Sequence, residues 1–148
     1  MTRWYRVFGR SEVQPSPEAI LEQLHSLGAT GPGQFRGDDA GWKSLEFTLA
    51  EAMPIVLECY LSSEPGIRAE LNTWAAWVET CESSPNHIAL MERIIQSKQL
   101  CTLLSPAEET DCLCENLCRF LARATDGVYH VDGKGFLAAD GTLLLEER

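Results

Sequence analysis

SLEFTLAEAMPIVLECYL, residues 44–61, decides the fold class. Leu45, Phe47 and Leu49 alternate with Ser44, Glu46 and Thr48, the two-residue period of a strand with one buried face. Beyond Met53-Pro54 the alternation resumes at Ile55, Leu57, Cys59 and Leu61. Val56 and Tyr60 make the opposite face of this second run apolar too, the mark of a strand covered on both sides. So short a connection turns the two strands back antiparallel. Leu57 is expected to be fully buried.

Downstream the period lengthens. Ile67, Leu71, Trp74, Val78 and Cys81 fall on one face of a helix, with Leu71 at its buried centre. Ser84-Pro85 opens a second helix carrying Ile88, Met91, Ile94 and Ile95. Ser105-Pro106-Ala107-Glu108 has the form of a capping box with proline at the first helical position. It predicts a helix with Ser105 as its cap, running through Leu113, Leu117, Phe120, Leu121 and Ala124 to Gly127. Residues 66–126 are thus read as a helical segment.

Upstream, residues 4–8 suit a first strand. Ser16-Pro17 starts a helix striped by Ile20, Leu21, Leu24 and Leu27 and stopped by Gly28. A glycine-rich loop with a short strand at 34–36 leads to the opening stretch. At the other end Asp132-Gly133 and Asp140-Gly141 punctuate a C-terminal β-hairpin. The expected architecture is one α+β domain over 1–148, an antiparallel sheet with helices packed on one face.

Apolar residues are 45% and charged residues 23% of the 148, the balance of a globular chain rather than a disordered one. No apolar run reaches a membrane span, and the start, Met1-Thr2-Arg3-Trp4-Tyr5-Arg6, is unlike a signal peptide. Twelve Lys and Arg against twenty-two Asp and Glu leave a net charge of −10. That field repels phosphate backbones and anionic lipid and favours a basic partner. A cytoplasmic protein of bacterial type, with no nucleic-acid or membrane partner, is the expectation. Six cysteines without a secretory signal are read as mostly reduced thiols.

The motifs are few. Gly37-Asp38-Asp39-Ala40-Gly41-Trp42-Lys43-Ser44 approaches a phosphate-binding loop. It fails because Trp42 replaces the glycine, two aspartates stand where the anion would lie, and a strand follows rather than a helix. Cys112, Cys114 and Cys118 sit on a predicted helix, where only Cys114 and Cys118 share a face. A closed zinc site would need a fourth ligand, Cys101 or one of His25, His87 and His130. The reading favoured is no metal and no cofactor, with Cys114 and Cys118 bordering the core and Cys112 the most accessible. The Asp-Gly pairs near the end lack a calcium-loop ladder.

Without a catalytic constellation, the function expected is a non-catalytic interaction or regulatory module that binds a basic partner. Trp42, Asp38, Asp39 and Trp77 are the candidate partner-binding residues, because aromatics anchor interfaces and carboxylates attract cations. The alternative is a small hydrolase-like or ligand-binding protein whose site is assembled from residues distant in sequence. His87, Glu92 and Glu58 are its candidates, and a deep pocket around them would favour it.

Overall fold

A computed structural model describes residues 2–29, 33–39, 41–49 and 54–147. Met53 and Ala40, named above, lie outside the described residues. The elements run β1 (Arg3–Gly9), α1 (Pro17–Ser26), β2 (Gln34–Asp38), β3 (Gly41–Phe47), β4 (Ile55–Leu61), α2 (Ile67–Glu79), α3 (His87–Ile95), β5 (Gln99–Ser105), a 3₁₀ turn (Glu108–Thr110), α4 (Asp111–Ala124), β6 (Gly127–Val131), β7 (Gly135–Ala138) and β8 (Leu143–Glu146). The strands form one antiparallel sheet in the order β2-β3-β4-β5-β1-β6-β7-β8. The fold is α+β and ends in the expected hairpin.

Local chemistry explains several boundaries. The Ser16 hydroxyl accepts from the Ala19 amide at 3.1 Å, with Pro17 at the first position of α1. The two Asp-Gly turns need left-handed backbone, and Gly133 and Gly141 supply it with φ of 80° and 91°.

The helices divide between the two faces of the sheet instead of sharing one. Tyr5 and Val7 of β1 join Leu57, Leu103 and Tyr129 under α1 and α4. Phe8, the next residue along, joins Leu100, Val128 and Phe136 under α2 and α3. The reason is composition: β1, β5 and β6 are apolar on both sides, so each face needs a cover. Leu57 and Leu71 are fully buried, on opposite faces.

The segment 66–126 is not helical throughout. Gln99–Ser105 forms β5, paired with β1 on one side and β4 on the other. The Ser105 capping box is therefore not used as one. Ser105 ends a strand, fully buried, and its hydroxyl donates to the Ala107 carbonyl at 3.0 Å and lies 2.6 Å from the Thr110 hydroxyl. The helix starts later, at Asp111. Tertiary pairing overrides the local signal, because β5 links β1 to β4 across the middle of the sheet.

That strand also pairs two of the six cysteines and leaves the other four reduced, as most were expected to be. Cys59 and Cys101 face each other in the β4–β5 register, Cα atoms 4.1 Å apart, and are joined by a disulfide. Cys81, Cys112, Cys114 and Cys118 are free. Cys112 is exposed while Cys114 and Cys118 are buried, as the helical stripe predicts. Burial pushes the Cys114 thiol up to about 12 and raises Cys118 likewise. Native thiol labelling read by mass spectrometry is expected to modify Cys112 first and Cys114 and Cys118 slowly. Cys59 and Cys101 should label only after unfolding and reduction; their labelling in unfolded chain without reductant would refute the bond.

Candidate binding surface around Trp77

Trp77 and Trp74 stand one turn apart on α2, whose buried stripe is Leu71, Ala75 and Val78. The stripe holds the helix against the sheet and leaves the two indoles at its margin. Trp74 is half-buried and Trp77 is 37% exposed. Their rings meet nearly at right angles, 85°, with centroids 6.2 Å apart. Phe136 of β7 supports both, at 5.9 Å from Trp74 and 6.2 Å from Trp77. Rigid aromatic support of this kind holds Trp77 as a ridge.

A groove lies on each side of that ridge. One, of about 520 Å³, is bounded by Cys81, Pro85, Leu143 and Glu146. The other, of about 400 Å³, is formed by Thr73, Trp74, Trp77 and Glu147. Glu147 is fixed from behind: its amide donates to the Lys134 carbonyl at 3.2 Å and its carboxylate accepts from the Gly133 amide. The outward backbone of β8 is partly blocked, since Asn86 and Ser84 side chains donate to the Leu144 carbonyl at 2.9 and 3.4 Å. Side chains rather than an open strand edge are what this surface offers.

Beneath the ridge is His130, fully buried, opposite Phe136 on β7 and Arg6 on β1. Its ring centre is 4.8 Å from that of Trp74 and 4.7 Å from that of Phe136. Neither ring nitrogen has a hydrogen-bond partner among the described residues. Asp132 stands 3.7 Å from Nδ1 and Glu147 3.6 Å from Nε2, both beyond hydrogen-bond reach. Burial is the main influence on this imidazole and lowers its pKa; Glu147 and Asp132 pull upward and Arg6 pushes further down. Arg6 is itself held by Asp132 at 2.7 Å, its guanidinium 4.9 Å from the Trp74 ring centre.

The four residues named from sequence do not form one site. Asp38 and Asp39 are exposed on the β2–β3 hairpin. Trp77 packs on β7, six strand positions away and so roughly 30 Å across the sheet. Trp42 is 7% exposed, its indole donating to the Pro15 carbonyl at 3.0 Å and packing edge-on against Phe35. It is a core residue. Of the alternative set, His87 has Nδ1 at 2.9 Å from the Ser84 carbonyl, Glu92 is exposed, and Glu58 accepts from the Tyr60 hydroxyl. No hydrogen bond or ion pair links those three.

Sequence reading named His130 only as a possible fourth zinc ligand and missed Glu146 and Glu147. One signal was present: His130 interrupts the run Val128, Tyr129, Val131, where a strand otherwise apolar on both faces has no room for solvent. Among the described residues, no group of three or more His, Cys, Asp and Glu side chains is close enough to hold a metal ion. No helix is long and apolar enough to cross a membrane, again among the described residues. No family model, no curated protein and no solved structure matches the chain.

Proposed function

We propose that the protein is a non-catalytic interaction module that receives a basic segment of a partner protein on the Trp77 face. The observation that carries the reading is an exposed, rigidly backed tryptophan between two grooves, each edged by a glutamate, Glu146 or Glu147. An indole face and a nearby carboxylate attract the same ligand group, a lysine or arginine side chain. The net charge of −10 steers such a partner toward the molecule from a distance.

The test uses deca-lysine and deca-arginine, followed by tryptophan fluorescence and calorimetry at low and physiological salt. Binding is expected to weaken with salt and to fall about tenfold or more in Trp77→Ala, as for a central aromatic anchor. Glu146→Gln combined with Glu147→Gln should weaken it as well. Asp38→Asn with Asp39→Asn, on the far edge of the sheet, should change it little. Binding that survives Trp77→Ala but disappears with the aspartates would move the surface to the β2–β3 hairpin and refute this reading.

A further inference from the structure

A third concavity, of about 550 Å³, lies between α3, the end of α4 and the β7–β8 connection. Its size is in the range of small-molecule sites. Leu90, Val128 and Leu144 give it apolar walls, and Arg93 and Arg123 supply two guanidinium groups. In a chain with nearly twice as many acidic as basic residues, both would be expected to carry carboxylate partners. Neither does. Asp126, in the same wall, is taken by Arg10 at 2.9 Å. Asp140 accepts from the Thr142 amide at 2.9 Å and feels the charge of Arg119.

Arg93 carries the sharper observation: its Nε is buried and has no hydrogen-bond partner. Both arginines stand in the last turn of a helix, where the dipole favours a cation. That accounts for their charge but not for a donor buried without an acceptor, which costs free energy. Burial and the neighbouring Arg10 charge also lower the pKa of Arg93, against a smaller pull from Asp126. An incoming anion would relieve both effects. A planar guanidinium matches a carboxylate in bidentate fashion. Asp126 and Asp140 limit how much negative charge the cavity accepts, which selects against polyphosphates and nucleic acid.

We propose that this cavity binds a small carboxylic acid, its single carboxylate held by Arg93 and Arg123 and its apolar body against Leu90, Val128 and Leu144. The site is separate from the Trp77 face, so either reading can fail without the other. Hexanoate and phenylacetate are the ligands to titrate, with hexanol, benzyl alcohol and phenyl phosphate as comparisons, by calorimetry and amide chemical shifts of the whole chain. The acids are expected to bind at least about tenfold more tightly than the neutral alcohols, the loss anticipated when a charge-assisted pair is removed. Arg93→Gln and Arg123→Gln should each weaken the acids by a similar factor, whereas Arg36→Gln, on β2, should not. If Arg93→Gln fails to fold, Arg93→Lys and Arg123→Gln carry the test, with Arg93→Lys retaining part of the affinity. Acids that bind no better than alcohols, arginine variants that bind as well as the parent, or a preference for phenyl phosphate would each overturn the assignment.

Discussion

Leu71→Ala and Leu57→Ala are each expected to cost about 2–5 kcal/mol in chemical denaturation, the range for a leucine removed from a packed core. Leu71 has no exposed surface and lies in the cluster of Phe8, Leu100 and Val128 beneath α2 and α3. Leu57 lies in the other cluster, directly opposite Leu45 on β3 and Leu103 on β5. Because the sheet separates them, the double variant should lose the sum of the two costs to within about 0.5 kcal/mol. A loss below about 1 kcal/mol at either position would mean that its side chain faces solvent. Strong non-additivity would mean that the two faces are not independent cores. Leu71→Ala also bears on the proposed surface, since α2 carries both Trp74 and Trp77.

The second large effect is a loss of stability on acidification that is centred on His130. The imidazole is fully buried and burial lowers its pKa in the folded chain below the ordinary 6.5. The unfolded chain therefore takes up this proton at a higher pH than the folded one does. Stability contributed by the neutral ring is complete above about pH 6.5 and declines as pH falls below it, until the folded-state pKa is reached. One such proton gives a slope of at most about 1.4 kcal/mol per pH unit. His130→Leu removes the titrating group together with two buried nitrogens that have no partner, so the variant should be as stable as the parent or more so near pH 7. Denaturation of parent and variant from pH 7.5 to 5 checks this. An identical pH slope in both would show that His130 is not the group responsible. Asp132, Glu147 and Arg6 surround the ring, and Glu147 also walls a groove beside Trp77.

Local periodicity carried much of this fold. The alternation at Leu45–Phe47 and Ile55–Leu57–Cys59, the Ser16-Pro17 start and the two Asp-Gly turns could each be read from a few neighbouring residues, because each is a property of a few neighbouring backbone angles. The stripe along residues 113–124 likewise placed Cys112 outside and Cys114 and Cys118 at the border of the core, where packing against the sheet buries both. Trp77 was nameable as a candidate anchor, although its setting between Glu146 and Glu147 was not legible.

What failed to appear in the sequence is what depends on contacts across it. Residues 99–105 could be assigned to a strand only once β1 and β4 stood on either side, and a convincing capping box at Ser105 argued locally for something else. The Cys59–Cys101 bond follows from that strand and was hidden with it. Trp42 looked like a surface aromatic until Pro15 and Phe35 closed over it. Arg93 and Arg123 are thirty residues apart, and nothing in either neighbourhood signals that both line one cavity and share no carboxylate. By itself the sequence determined the fold class, the identity of most elements and, apart from α3, where Ile88 and Ile95 are exposed and Leu90 is buried, which side of each faces inward, since hydrophobic period and turn chemistry act over a few residues. The order of the strands, the division of the helices between two faces, and the gathering of Trp77, His130 and Glu147 were decided only by tertiary structure, because burial and pairing depend on residues that the chain places far apart.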